Sequence, residues 1–419
     1  MKVEIGYGKK KVDVEIRDQN LQCVLIPNEV KIDYVGVSEV KRALENPIGS
    51  KKLNRIISKG DSVCIITSDI TRPMPSKVVL PILLEKIEKI GVDKNNIIIV
   101  FALGNHRAHT EKEKKYLVGE EIYNAYDCVD SDQSDIVDLG KTKYGTSVEV
   151  FRPVTEADKV ICLGNIEYHY FAGYSGGAKA IMPGVSTASA IQSNHKRMVE
   201  STSTTGNIDT NNVRLDIECA IEFQNIDFIL NVVLDETKQI VKAVAGDYIK
   251  AHRVGCEFLD EIYKCEIKKK ADIVIVSAGG YPKDINLYQA QKALDNSKHA
   301  VKDGGTIILV AACTEGLGEE VFERWMKEAT CPHSMVKKIS ENFELGGHKA
   351  ASIGMLQEKA TIALVSEMKN EFVESMFFES YDDVDVAIGD AIRKHGCDAN
   401  VIVMPYGGST LPIMKVSNI

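Results

Sequence analysis

The chain alternates continuous apolar runs with segments of helical spacing, and it does so twice. In the first series, residues 62–67, 96–102 (N-I-I-I-V-F-A), 159–163, 226–234 and 240–244 read as strands. Residues 78–90 read as a helix, with Val79, Leu80, Leu83, Leu84, Ile87 and Ile90 apolar at helical spacing. A strand that is apolar at every position must be covered on both faces, which is the condition of a parallel sheet wrapped by helices. The pattern restarts near residue 272, with strands at 273–277, 306–311, 359–365 and 400–404 and helices at 286–295 and 384–395. This predicts two α/β domains, each with a mostly parallel sheet: residues 1–268, opened by short strands at 3–5, 12–16 and 24–27, and a Rossmann-like domain at 269–419. The basic helical stretch 248–270 is the expected connection. Two such domains imply an active-site cleft between them, near the carboxyl ends of the strands.

Composition narrows the function class. Of 419 residues, 44% are hydrophobic and 26% charged, which suits a globular protein with a full core. The net charge is -9, and the densest basic run, Lys268-Lys269-Lys270, reads as a solvated helix end. That balance argues against nucleic acid or an anionic membrane as partner. The ten cysteines show no CxxC pairs, and Cys64, Cys162 and Cys313 sit in apolar runs, as buried reduced thiols do. No apolar run approaches the roughly 20 residues that cross a bilayer, and M-K-V-E-I-G-Y-G has no apolar leader core. The expected location is cytoplasmic.

The polar and glycine-rich residues follow strands directly. S-D-I-T-R-P-M-P (68–75) follows the first strand, L-G-N-H-R-A-H (103–109) the second, and G-N-I-E-Y-H-Y-F-A-G-Y-S-G-G-A-K-A-I-M-P-G (164–184) the third, continuing to S-N-H-K at 193–196. In the second series A-G-G-Y-P-K-D-I-N-L-Y-Q-A-Q-K (278–292) follows the strand 273–277. Four strand ends carrying His, Arg, Lys and Asp point to one shared site. Each also has a plainer reading. Asp69 and Arg72 fit a local turn before Pro73. His106 and His109 fit surface loops, and His109 is assigned to that class. Gly173–Gly177 fits a phosphate cradle but lacks the G-x-x-x-x-G-K-[ST] pattern. Lys179 could be solvated and His195 an exposed helix-end residue.

Together, these blocks resemble the nickel-pincer lactate racemase family over nearly the whole chain. The carrying motifs are S-D-I-T-R-P-M-P, G-N-H-R, the block 164–195 and G-G-Y-P-K-D-I-N-L-Y-Q-A-Q-K, with the triplet His169, Lys179 and His195 the most specific. The resemblance implies a cofactor, a nickel-bearing pyridinium-3,5-bisthiocarboxylic acid mononucleotide, covalently attached to Lys179, with His195 completing the metal. It implies His106 and His169 as the proton-handling pair. Arg72 would hold the substrate carboxylate or the cofactor phosphate region, with Asp69 orienting it, and Gly173, Gly176 and Gly177 would let backbone approach that phosphate. Tyr288, Gln289 and Lys292 would bind substrate from the second domain. Maturation proteins that make and insert the cofactor are implied partners.

The implied chemistry suits these residue types. A 2-hydroxy acid inverts if C2 passes through a planar ketone, which needs a base on the hydroxyl and a hydride acceptor at C2; histidine serves as base near neutral pH. A guanidinium matches a carboxylate with two parallel hydrogen bonds. A sulfur-rich square-planar site with one imidazole suits nickel(II). Lactate is the leading substrate. Other 2-hydroxy acids, malate-like, larger or sugar-derived, are the alternative, with selectivity expected in loops 314–318 and 343–350. There His348 and Lys349 either bind a second polar group or begin a helix with exposed charges. A non-catalytic phosphate-binding protein would not need both His106 and His169. A zinc hydrolase would need an H-E-x-x-H or a cysteine set, and neither motif occurs.

Overall fold

The computed structural model describes residues 1–415. It contains two compact units, one formed by Val30–Asp260 and the other by Met1–Glu29 together with Glu261–Ile419. The division therefore differs from a single cut at 268: the first 29 residues pack with the C-terminal unit. The reason is strand pairing at long range. Leu21–Val24 adds as a parallel edge strand beside Val401–Met404, a partnership that no local pattern encodes.

In the Val30–Asp260 unit a six-stranded sheet runs in the order Ile240–Gly246, Phe228–Leu234, Lys159–Asn165, Val63–Ser68, Ile97–Ala102, Asp127–Asp130. The first pair is antiparallel and the rest are parallel. The strands read as apolar at every position are the buried centre. Ile65 pairs in register with Ile99 on one side and Ile161 on the other. The helix Ser76–Ile90 packs Val79, Leu80, Leu83 and Ile87 against Ile65, Ile99, Ile161 and Leu230. A buried hydroxyl pair, Thr67 to Ser76 at 2.7 Å, ties that helix start to the strand end.

In the other unit six parallel strands follow the order Glu379–Tyr381, Thr361–Val365, Val301–Val310, Ala271–Ser277, Val401–Met404, Leu21–Val24. The hairpin Lys2–Tyr7 with Lys10–Glu15 and the helix Val384–His395 cover one face, with Ile5, Val14, Ala387 and Ile388 against Ile275, Ile308 and Val403. Three helices, Glu320–Glu328, Pro332–Glu341 and Gly347–Gln357, lie between the strands Val301–Val310 and Thr361–Val365. His348 and Lys349 belong to the last of these and are buried, not exposed. His348 Nδ1 accepts the Gly346 amide at 2.9 Å, and Lys349 donates to the Tyr288 carbonyl at 2.5 Å with its ammonium over the Tyr288 ring. Cys64, Cys162 and Cys313 are buried free thiols. No helix among the described residues is long and apolar enough to cross a membrane.

Because Ile65 is fully buried between two strands and a helix, Ile65→Ala is expected to lower unfolding free energy by about 2–5 kcal/mol. Urea denaturation followed by circular dichroism measures this. A loss below about 1 kcal/mol would mean that the site collapses around the smaller side chain.

Candidate active site

Three adjacent parallel strands of the Val30–Asp260 unit end in polar segments, and the side chains that matter come from those ends. After Val63–Ser68, the Asp69 carboxylate is buried and takes the His106 Nδ1 at 2.6 Å and the Thr71 hydroxyl at 3.0 Å. A carboxylate only accepts, so His106 carries its proton on Nδ1 and its lone pair on Nε2. Asp69 was expected to orient Arg72; it binds His106 directly, and the Arg72 guanidinium acts on it through its charge. Burial alone would raise the Asp69 pKa, but the His106 hydrogen bond and the nearby cations outweigh it and hold it below the ordinary 3.8. The stability this contributes is present above that ordinary value and is lost as pH falls through the lower folded one. The Arg72 side chain is exposed and has no ion-pair partner among the described residues.

His109 is not a surface loop residue. Its Nδ1 meets Asp130 at 2.6 Å, its Nε2 accepts the Ile70 amide at 3.0 Å, and its ring lies edge-on to Phe101. It is a buried strut that holds the segment beginning at Asp69.

After Lys159–Asn165 the chain forms a small hairpin, Tyr168–His169 with Gly173–Tyr174, and then a single turn, Gly177–Ala180. His195 ends the helix Ala188–His195. The triplet His169, Lys179 and His195 converges on Phe171, which is buried and which the sequence reading passed over. Ring centroids of His169 and His195 lie 4.5 and 4.9 Å from Phe171, both edge-on, and the Lys179 Nζ is 6.0 Å from the same ring. His169 Nδ1 accepts the Ala172 amide at 3.3 Å, so the neutral ring carries its proton on Nε2. His195 Nδ1 meets the Asn194 side-chain oxygen at 2.9 Å.

The local field is positive. Burial pushes the Lys179 amine well below its usual range, and the Arg214 and Arg72 guanidiniums push it further. Burial likewise lowers His169, with Lys179, Arg72, His195 and Arg214 adding to it. Arg214 is buried and donates to the carbonyls of Ala172, Tyr174 and Gly176. No motif marked it, because it sits inside the helix Asn212–Cys219 with no glycine or histidine beside it.

The glycines serve the loop's own packing. Gly173 has φ +76°, and a Cβ there would lie 2.0 Å from the Asn207 carbonyl oxygen. A Cβ on Gly176 would meet the Asn231 side chain, and the Gly177 amide is already bound to Asn231 at 2.8 Å. At least one backbone donor of the loop is thus spent inside the protein, because Asn231, on the neighbouring strand, binds it. In the other unit Gln289 and Lys292 are exposed one helical turn apart near the start of Leu287–Ser297, a helix capped by the Asn286 side chain.

A lysine whose pKa is driven down by burial and neighbouring cations is a better nucleophile at neutral pH than an exposed one, since each unit of lowering multiplies the neutral fraction about tenfold. A small acylating reagent at pH 7 is expected to modify Lys179 at least about tenfold faster than the exposed Lys250, as read by peptide mass mapping. Equal rates would show that the amine is ordinarily protonated.

Two family models match the chain: the lactate racemase N-terminal domain over residues 7–206 and the lactate racemase C-terminal domain over 267–411. The lactate racemase of Thermoanaerobacterium thermosaccharolyticum is 37% identical over 421 residues, 98% of each chain. That of Lactiplantibacillus plantarum is 33% identical over 418 residues, covering 97% of this chain and 98% of its own. The solved structure of the T. thermosaccharolyticum lactate racemase apoprotein superposes with a TM-score of 0.91 at 35% identity, over 99% of this chain and all of that one. A Thermotoga maritima protein of known crystal structure shares the fold, with a TM-score of 0.66 at 16% identity over 92% of this chain and all of its own. The chain belongs to the lactate racemase family.

Proposed function

We propose that the protein racemises a small 2-hydroxy acid, lactate first, using a nickel-bearing pyridinium mononucleotide linked to Lys179. The observation that carries this reading is the convergence of His169, Lys179 and His195 on Phe171, with burial and neighbouring cations driving the lysine's pKa down. The donor set fits the group. Lys179 supplies an amine that burial and neighbouring cations keep nucleophilic. His195 supplies one imidazole; among the described residues no cluster of three or more His, Cys, Asp or Glu side chains could hold a metal without outside ligands. Arg72 and Arg214 supply the positive field that a phosphate and two acyl arms require, and Gly173, Gly176 and Gly177 are the proposed points where backbone approaches the phosphate.

When bound, the cofactor supplies a hydride acceptor for C2 of the substrate. The protein does the rest. Arg72, with no ion-pair partner of its own, takes the substrate carboxylate through two parallel hydrogen bonds. His106 Nε2 takes the hydroxyl proton, while Asp69 holds the ring's tautomer and stabilises the imidazolium that forms, as a carboxylate does behind a catalytic histidine. His169 is the proposed base for the hydroxyl of the opposite enantiomer; to accept that proton at Nε2 it first moves its own proton to Nδ1 and gives up the Ala172 amide bond. Phe171 keeps water from the centre. Tyr288, Gln289 and Lys292 are proposed substrate-binding residues, supported by the free, exposed polar ends of Gln289 and Lys292.

The test is racemisation of unlabelled lactate in heavy water by protein matured with its cofactor-making partners. A C2 hydrogen that leaves and returns as hydride never meets solvent, so almost no deuterium is expected at C2 after one conversion. Substantial incorporation would replace this mechanism with proton abstraction. Lys179→Arg, which lacks a primary amine, is expected to show none of the covalent mass that wild type gains. An unchanged adduct would remove Lys179 from the role.

Asp69→Asn is expected to lower kcat on the order of 10²-fold or more, with the covalent adduct retained. If turnover stays near wild type, His106 does not depend on Asp69 for its tautomer.

A further inference from the structure

We propose that Asp216 and Asn194 form a relay that fixes the tautomer of His195, leaving its lone pair on Nε2. The inference rests on the reading of His195 as the metal ligand, and it names the residues that prepare it. The relay runs inward from a buried carboxylate. Asp216, on the helix Asn212–Cys219, accepts the Thr142 hydroxyl at 2.5 Å, the Thr146 hydroxyl at 2.6 Å and the Asn194 side-chain amide at 2.8 Å. All four residues are buried. The two threonines lie in the turn between the strands Ile136–Lys141 and Ser147–Phe151, so three separate elements meet at this carboxylate.

The direction of each bond is forced. A carboxylate and a main-chain carbonyl can only accept, and the Asn194 nitrogen faces one of each, Asp216 and the Val213 carbonyl at 3.2 Å. The Asn194 amide therefore cannot flip, and its oxygen must face His195. An amide oxygen only accepts, so the His195 Nδ1 at 2.9 Å must donate. A neutral imidazole protonated on Nδ1 keeps its lone pair on Nε2, the arrangement in which a histidine ligates through Nε2. In water the other tautomer, with Nε2 protonated, is the commoner form, so the protein is selecting the minor one. Outer partners of this kind are worth about 10–100-fold in metal affinity.

The full-length protein without cofactor, labelled with 15N in its histidine rings, tests this directly. His195 signals are identified by their loss in His195→Gln. Wild type is expected to show His195 protonated on Nδ1 and unprotonated on Nε2. Asn194→Leu, which keeps the branching at Cγ but has no acceptor, is expected to shift His195 toward the Nε2-protonated form. Asp216→Asn, which keeps the shape but can present an amide nitrogen to Asn194, should do the same in part. Unchanged signals from His109 and His252 in both variants report an intact fold, which a merely structural role for Asp216 would not leave alongside a changed tautomer. In matured protein challenged with a chelator, both variants should lose nickel about tenfold faster or more while keeping the covalent adduct at Lys179. An Nε2-protonated His195 in wild type, or an Nδ1-protonated one that persists in Asn194→Leu, would overturn the relay. Retention of nickel by His195→Ala would strike the ligand assignment alone, since the tautomer measurement is made without metal.

Discussion

A buried guanidinium, with no carboxylate in ion-pair reach among the described residues, shapes this site. Arg214 lies inside the Val30–Asp260 unit and is solvated by the carbonyls of Ala172, Tyr174 and Gly176 rather than by a counter-ion. Its nearest acidic influence, Glu218, is spent on Arg253. Leaving a charge in such a place without hydrogen bonds would cost many kcal/mol, so the segment 172–176 is bound to curl around it. The curl brings Phe171, His169 and Lys179 into one cluster, and it admits no side chain at Gly173, where the Asn207 backbone already stands. His252 braces the same loop by holding the Ser175 carbonyl at 2.7 Å. The glycine-rich sequence is thus a consequence of packing around a cation as much as of any ligand.

That cation also explains the chemistry of its neighbours. A chain with a net charge of -9 concentrates Arg72, Arg214, Lys179 and three histidines around a place where the carboxylate on hand, Asp69, is already bound to His106. The low local dielectric magnifies the mutual repulsion, and Lys179 and His169 respond by favouring their neutral forms. Such a site is stabilised by an arriving anion. The carboxylate of a 2-hydroxy acid is such an anion, and the phosphate of the proposed cofactor would be another.

Much of this was legible in the chain. The both-face apolar strands at 62–67, 96–102 and 159–163 stand within one or two residues of their boundaries, and the residues after them carry the site, because ligand groups in a parallel sheet gather at strand carboxyl ends. What escaped was polar and buried. Arg214 and Asp216 occupy a short helix where alternating Arg, Asp and Glu read as a solvated face, and Asn194 looks like a helix-end residue until Asp216 is placed beside it. His109 was misjudged for the same reason: the partner that buries it, Asp130, ends a strand, Asp127–Asp130, too polar to be recognised. The N-terminal 29 residues were misplaced because edge pairing with Val401–Met404 is decided by three-dimensional complementarity. Local pattern reports which face of an element is apolar; it does not report which charge will find a partner inside.

The three histidines near Phe171 and Asp69 show how far such partners go in deciding function. All three are imidazoles of the same intrinsic basicity, yet each is held by a different acceptor or donor. Asp69 is ionic and at 2.6 Å, so it fixes the His106 proton on Nδ1. Asn194 is neutral and at 2.9 Å, so it orients the His195 ring without the ionic support that Asp69 gives His106. His169 is set the other way, its Nδ1 accepting a backbone amide at 3.3 Å. A bond that long holds weakly, so His169 is the ring freest to exchange tautomers between half-reactions. A racemase needs such an asymmetry. The two hydroxyl configurations present their protons to different bases, and a protein built from L-residues cannot offer those bases mirror-image surroundings. Under the proposed roles, the base His106 is fixed by a carboxylate and the base His169 is left adjustable.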